Sequence, residues 1–396
     1  MATFFLIVIY ITFISLGLPD SLLGSVWPVM YPDLGAGIGM IGIISMIISG
    51  GTILSSLMSE RLIRKFGTGP VTFFSVLATA AALLGFSFAP GFLWLAFLAV
   101  PLGLGAGSVD AALNNYVALN YKPHHMSWLH CFWGIGAFTG PMIMARFIQN
   151  GNNWRGGYLT VGIIQTAVVL LLLVTLPLWK KNEKRETSAA EPVSGKEEFS
   201  GPVLKIRGVK ASLAAFIFYC GVEHSLNYWG STFLVEARNL SPATAARWIS
   251  LFFAGITVGR FLSGFLTMKF RSSVLIRAGQ ILVTAGALLL IIPFSPWFSL
   301  AGIIIIGLGC APVFPGMLHE TPYRFGEQQS QKIMGMQMAF AYMGGTFLPP
   351  LFGLIASKMG LSLFPYFLLA YSILMFIPSE RINRIISERR AAKAES

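Results

Sequence analysis

The chain has 396 residues, 55% of them hydrophobic and only 11% charged, with a mean hydropathy of +0.70. A soluble domain carries about 25% charged residues, and 28 basic and 16 acidic side chains cannot cover the surface of soluble units this large, so the composition excludes a soluble protein and indicates a polytopic membrane protein. The net charge of +12 invites a nucleic-acid reading, and the placement of the charges decides against it below.

Crossing ~30 Å of hydrocarbon takes about 20 apolar residues, and twelve such runs are found. The first six predicted spans are 3–30, 38–59, 69–89, 92–119, 127–149 and 157–179. A polar stretch follows, then 210–236, 243–269, 273–294, 297–322, 330–357 and 361–379. The apolar runs are continuous, without alternation at every second residue, so they read as helices and not as barrel strands. Several exceed 25 residues and contain Gly or Pro, which predicts kinked or tilted helices. The first run lacks a basic leading segment and a small-residue cleavage site, so it reads as a span and not as a cleaved signal peptide.

Of the 28 Lys and Arg residues, 22 fall in the even-numbered loops and the C-terminal tail. Five lie on the opposite side (Arg146, Arg155, Arg238, Arg247 and Lys358), and Arg260 lies within the eighth span. By the positive-inside rule the basic side is cytoplasmic, which predicts a multi-pass protein of the cell membrane with both termini inside. The positive charge is a topology signal, and no nucleic-acid partner is expected. The lipid bilayer is the expected surrounding, and the chain reads as a monomer. Cys131, Cys220 and Cys310 all fall within spans without paired spacing and read as small buried apolar residues.

Residues 180–209 form a charged, Pro- and Gly-containing connector, read as a cytoplasmic linker between a first half, 1–179, and a second half, 210–380; residues 381–396 form a tail. Shifting the first half by 204 positions superposes Gly17, Ser21 and Leu22 on Gly221, Ser225 and Leu226. The same shift brings Gly51, Lys65 and Phe66 onto Gly255, Lys269 and Phe270, and Gly103-Leu104-Gly105 onto Gly307-Leu308-Gly309. At 208 positions, Gly136 and Pro141 meet Gly344 and Pro349. Three span pairs sharing one offset argue for a duplicated six-helix unit, the architecture in which many carriers rock one half against the other.

These features resemble the major facilitator superfamily over essentially the whole chain. The second loop is similar to that superfamily's Gly-x-x-x-Asp-Arg-x-Gly-Arg-Lys signature, with Glu60, Arg61, Arg64 and Lys65 at the charged places and Ser56 and Ile63 at the glycines. Four segments resemble the fucose/glucose permease branch: Gly17-Leu-Pro-Asp20, Gly105-Ala-Gly-Ser-Val-Asp110-Ala-Ala-Leu-Asn114, Leu129-His130-Cys-Phe-Trp-Gly134-Ile-Gly136-Ala137 and Tyr219-Cys-Gly221-Val-Glu223. The resemblance implies an all-α integral membrane fold of twelve transmembrane helices in two six-helix pseudo-repeats. It also implies a secondary active transporter, not an enzyme, with Asp20 and Asp110 as counterparts of the branch's proton-coupling and sugar-recognising carboxylates; Pro19 before the first acid departs from the branch.

The residues themselves support part of this reading independently. Only Asp20, Asp110 and Glu223 among the acids lie well inside spans, where an ionised carboxylate costs about 2.5–3.5 kcal/mol on insertion scales. Burial disfavours the charged form of a carboxylate, so a group of this kind can load a proton in one state and release it in another. All three are candidate proton-coupling residues. Sugar recognition needs hydrogen-bonding groups for hydroxyls and a flat apolar face for the ring. Candidates are Asp110, Asn114 and Asn115 on the fourth span, Trp27 on the first, and His130 and Trp133 on the fifth. Glu223, His224 and Asn227 on the seventh and Gln337 and Tyr342 on the eleventh complete the set. Asp110 with Asn114 and Glu223 with Asn227 each share a helix face at a spacing of four. Glu60, Arg61, Arg64 and Arg260 are candidates for a charged gate at the cytoplasmic mouth. His124, His125 and His130 lack ligand spacing, so no metal is expected.

Two classes of function compete. The leading expectation is proton-coupled import of a small sugar, a hexose or deoxyhexose, with the proton as coupling ion and no other cofactor. The alternatives are a proton-driven exporter of drugs or metabolites and a sodium-coupled sugar carrier. Gly136-x-x-x-Gly140-Pro141 is similar to part of an antiporter motif, but Met144-Ala145 stands where its trailing glycines would be. No Gly-x-Ser-x-Gly or His-Glu-x-x-His sequence supports a membrane enzyme.

Overall fold

The computed structural model describes residues 2–121, 123–186 and 203–394, and every regular element in it is helical. The first predicted span is two helices, α1 (Ala2–Asp20) and α2 (Leu22–Asp33), separated by a single residue, Ser21. Pro19 has no backbone N–H to donate, and the chain bends just after it. The rest of the first half is α3 (Ile41–Phe66), α4 (Thr68–Ser87), α5 (Phe92–Asn120), α6 (Pro123–Gln149) and α7 (Trp154–Glu186). The second half contains α8 (Val209–Glu236), α9 (Pro242–Leu266), α10 (Ser272–Ile291), α11 (Pro296–His319), the short α12 (Thr321–Phe325), α13 (Glu327–Met359) and α14 (Phe364–Ala394).

Among the described residues, eleven spans are long and apolar enough to cross a membrane. The twelfth, α8, has the length: its 28 residues reach about 42 Å. Glu223, His224 and Asn227 in its middle lower its hydropathy, and these polar residues face neighbouring helices within the protein. Two helices outrun their predicted spans. α7 continues to Glu186, into the segment read as linker, and α14 continues to Ala394, through the segment read as tail. A hydropathy reading stops where charge begins, whereas a helix can continue into water. The remaining linker residues 187–202 lie outside the described residues, as do 395 and 396.

The duplicated glycines make duplicated contacts. Gly51 of α3 lies against Gly103 and Leu104 of α5; 204 positions on, Gly255 of α9 lies against Gly307 and Leu308 of α11. Gly103 sits on the carbonyl of Ile48 and Gly307 on that of Phe252, again 204 apart. Gly105 meets Ser75 and Thr79 as Gly309 meets Gly279 and Val283. A Cβ at Gly103, Gly105, Gly307 or Gly309 would collide with the neighbouring helix, and one at Gly51 or Gly255 would press on its backbone at 3.0 Å, so the close helix pairs depend on small residues. The two halves are therefore related by packing as well as by sequence.

The halves meet chiefly through three helix pairs, α2 with α8, α3 with α13, and α6 with α9, and α2 also touches α9. Several of these contacts lie away from the basic end of the bundle. Gly24 rests on the backbone of Asn227 and Tyr228, Gly42 on Pro350 and Gly39 on Gly353. Ser231 donates to the Ser25 carbonyl at 3.0 Å, Tyr31 donates to Glu236 at 3.0 Å, and Arg247 donates to Gln149. Nearer the basic end, Ser56 approaches Tyr342 and Trp133 approaches Arg260. Beyond them a side chain at Gly264 of α9 or Gly335 of α13 would meet nothing within 4 Å. The contacts between the halves named here gather towards the end opposite the basic loops, and the partly accessible side chains of Asp20, Asp110 and Arg260 line a cleft between the halves.

Candidate functional site

The break between α1 and α2 places Asp20 at the floor of this cleft. Its carboxylate accepts from the Trp133 indole N–H of α6 at 2.8 Å, and its backbone carbonyl accepts from Asn227 Nδ2 of α8 at 3.0 Å. A residue of the first half is thus tied to both halves. The Gly17 contact with the Trp133 and Ala137 backbone holds α1 close enough to α6 for the indole bond to form. Asp110 on α5 accepts from Asn114 Nδ2 at 2.9 Å, and the same amide reaches the Asp110 carbonyl at 3.0 Å, as the four-residue spacing predicts. The carboxylates of Asp20 and Asp110 lie within electrostatic range of each other. Tyr228 of α8 borders Asp20, and Tyr342 of α13 borders Asp110.

The opposite wall is built from α8 and α9. Glu223 bears on His224, Tyr219 and Cys310. His224 packs its ring on Gly345 of α13 and lies 6.3 Å from the Tyr228 ring. The Arg260 guanidinium stands 5.5 Å from the centre of the Trp133 ring, within the range of a cation–π contact, and its charge also reaches His130. Asp20, Asp110, His130, Trp133, Glu223, His224, Arg260 and Tyr342 each keep part of their surface accessible, though each lies well within a membrane helix.

Three placements differ from the sequence reading. Arg260, expected at the cytoplasmic gate with Glu60, Arg61 and Arg64, has its guanidinium at Trp133, inside the cleft. A long Arg side chain places its charge several Å from its own Cα, so position along the helix misjudges it. Among the gate partners, Arg61 and Arg64 are exposed at the end of α3, and the Glu60 side chain lies outside the described residues. Trp27 is fully buried and donates to the Ile38 carbonyl at 2.8 Å, in the apolar core away from the basic loops. Gln337 is also fully buried; it accepts from Thr321 at 2.9 Å and donates to Ser212 at 2.7 Å, a polar bridge within the second half. Neither residue lines the cleft. The Asn115 side chain lies outside the described residues. Tyr219 stands in the Tyr219–Glu223 segment noted in the sequence, one turn before Glu223; Tyr228 was not singled out, and its only signal is a position one turn from His224.

Two amides are left with unused acceptors. With their Nδ2 groups engaged, Asn114 Oδ1 and Asn227 Oδ1 are buried without a hydrogen-bond partner. A buried polar atom without a partner costs about 1–3 kcal/mol, so a bound molecule or water that donates to these atoms removes a standing penalty. Asp20 Oδ1 and one Asp110 oxygen have spare lone pairs as well. The first-half wall is rich in acceptors and suits a ligand with several O–H donors.

The profile of the Major Facilitator Superfamily matches residues 9–318 and 211–383. The chain belongs to the Major Facilitator Superfamily. It is a multi-pass membrane transporter of that superfamily and not an enzyme. Similar proteins include the glucose/mannose transporter GlcP of Bacillus subtilis, 23% identical over 356 residues, covering 87% of this chain and 86% of that protein. Bypass of stop codon protein 6 of Saccharomyces cerevisiae is 22% identical over 403 residues, covering 90% and 77%. Among solved structures, a nucleoside transporter, NupG, aligns with a TM-score of 0.72 at 13% identity, covering 95% of this chain and 98% of that one. A bacterial homologue of the human lysosomal transporter Spinster, in an inward-facing and occupied conformation, aligns with a TM-score of 0.70 at 13% identity over 98% and 97%. At that identity the likeness establishes the fold alone.

Proposed function

We propose that the protein imports a small neutral sugar, a hexose or deoxyhexose, together with protons across the cell membrane by alternating access. The observation that carries this reading is the pairing of Asp20 and Asp110 at the junction of the two halves. Each carboxylate is held by one neutral donor, Trp133 or Asn114, and both keep part of their surface accessible in the cleft between the halves. Two neighbouring acids there give a carrier a place to take up a proton and to release it as the halves move. A proton bound there, and a sugar hydroxyl donating to the free oxygens or to Asn114 and Asn227, complete the site. The glucose/mannose relative supports a hexose as the cargo.

We read the basic end, which carries both termini, as cytoplasmic by the positive-inside rule, and the gathering of contacts between the halves at the other end as a cytoplasm-open state. Residues 1–179 and 210–380 move as the two bodies, joined by the 180–209 connector, and the working unit is a monomer. The contacts of Gly24, Gly39, Gly42 and Gly134 with the other half are those that separate when the opposite mouth opens. The test is uptake of labelled glucose, mannose and fucose into proteoliposomes under an imposed proton gradient or an imposed sodium gradient. Accumulation of a sugar under the proton gradient alone is the expected result. Extrusion of dyes without sugar uptake establishes the exporter alternative, and accumulation under sodium alone establishes the sodium-coupled one.

A further inference from the structure

Arg260 and Glu223 are two opposite charges in the middle of a membrane protein, and neither has a direct ion-pair partner among the described residues. They lie on neighbouring helices about one turn apart in level, since Gly230 of α8 rests against Ile249 of α9 and so sets the register of the two helices. Beside them Tyr219 is pinned by its bond to the Cys310 carbonyl at 3.1 Å, and both of these residues are fully buried. Charged side chains at this depth are costly and ordinarily pair with one another. Both side chains keep part of their surface accessible, so a donor fork and an acceptor stand on neighbouring helices without bonding each other. The indole of Trp133 forms an apolar wall beside the guanidinium.

We infer that Arg260 and Glu223 form a split ion pair that closes around the cargo, Glu223 accepting from one hydroxyl while Arg260 donates to an adjacent oxygen. The inference rests on the sugar reading above and specifies its recognition chemistry. The first-half wall offers chiefly acceptors, Asp20, Asp110 and Asn114 Oδ1, and Asn227 Oδ1 of α8 adds another. A hydroxyl oxygen bound there as a donor still needs its own lone pairs satisfied, and Arg260, with five N–H groups and no acceptor, supplies that missing function. The charge balance selects the class of cargo. Three acids face one guanidinium, so a sugar acid would add a further negative charge to a site with a single cation, whereas a neutral polyol bridges the pair without changing the balance. Adjacent hydroxyls on a ring place a donor and an acceptor side by side, which is the complement of a separated Glu and Arg. The wall of Trp133 receives the ring's apolar face.

The test is counterflow exchange of labelled glucose in proteoliposomes, which needs no gradient, with Arg260→Gln, Arg260→Lys, Glu223→Gln and the double variant Arg260→Gln with Glu223→Gln. Each single neutral variant is expected to raise the half-saturation for hexose about tenfold, the loss of a hydrogen bond to a charged group, with the maximal rate held within about threefold. Arg260→Lys, which keeps the charge and loses the fork, is expected to recover part of the loss. The double variant is expected to be scarcely worse than either single one, because both lose the same bridge. Glucuronate is expected to compete more weakly than glucose against the wild type. Unaltered half-saturation in both single variants, additive losses in the double variant, or glucuronate outcompeting glucose would each overturn the clamp. A wild-type protein that exchanges no neutral sugar overturns the sugar reading itself, a result distinct from any of these.

Discussion

Replacing Asp110 by Asn separates coupling from binding more cleanly than any other change in the cleft. The Asn114 amide donates to Asp110 Oδ1 at 2.9 Å, and an asparagine at 110 presents a carbonyl oxygen in the same place. The pairing therefore survives, and the structural cost should stay below about 1 kcal/mol, the net worth of one neutral hydrogen bond. What disappears is the ability to carry a proton. A gradient of two pH units stores about 2.7 kcal/mol per proton, enough for roughly hundredfold accumulation at one proton per sugar. In proteoliposomes with that gradient and the potential clamped to zero, the wild type is predicted to approach that ratio. The Asp110→Asn protein is predicted to equilibrate its sugar at a ratio of one while keeping counterflow within about threefold of wild type. Accumulation by the variant at the wild-type ratio would refute the assignment of the coupled proton to Asp110.

Further changes probe other parts of the structure. Trp133→Phe removes the 2.8 Å donor to Asp20 and leaves a weaker ring for Arg260; at about 1.5–3 kcal/mol for a bond to a charged group, half-saturation should rise 10- to 100-fold in the exchange assay. Gln337→Leu breaks the bridge between Thr321 and Ser212 but not the cleft, so it should lower thermal stability by about 1–3 kcal/mol and leave the half-saturation unchanged; a raised half-saturation would return Gln337 to the binding site. Gly24→Leu drives a side chain into the Asn227 backbone on the side away from the basic loops, so a spin-label pair across that end should report a larger separation than in wild type. Arg155→Ala loses the pair with Asp33, whose partners are 40% and 45% exposed, and should cost no more than about 1 kcal/mol in a melting assay.

The architecture was readable because membrane folding leaves a coarse signal in sequence. Apolar runs give the spans, basic loops give a common end, and glycines at one offset give the repeat. In the structure Gly51 with Gly103 and Gly255 with Gly307 make equivalent helix contacts. Asp110 with Asn114 was legible for the same reason, since spacing along one helix fixes which side chains meet. Contacts between helices were not legible. Asp20 and Trp133 could each be named, but their bond depends on α1 packing against α6 through Gly17, which periodicity within either helix does not specify. Trp27 and Gln337 share the helical spacing of cleft residues, yet each faces the interior of the protein away from the cleft. Arg260 was misplaced because its chemistry acts at the end of a long side chain and not at its Cα. Tyr228 enters the site only because α8 crosses close to the α1–α2 break, where Asn227 meets the Asp20 carbonyl.

Running the cycle in reverse gives the sharpest measurement. An outward sugar gradient, imposed across lightly buffered proteoliposomes with valinomycin and potassium holding the potential at zero, should carry protons out with the sugar and acidify the medium at a fixed ratio. The same gradient in Asp110→Asn vesicles should produce no pH change. Sugar efflux from wild-type vesicles with a silent pH trace would contradict proton coupling through the Asp20–Asp110 pair.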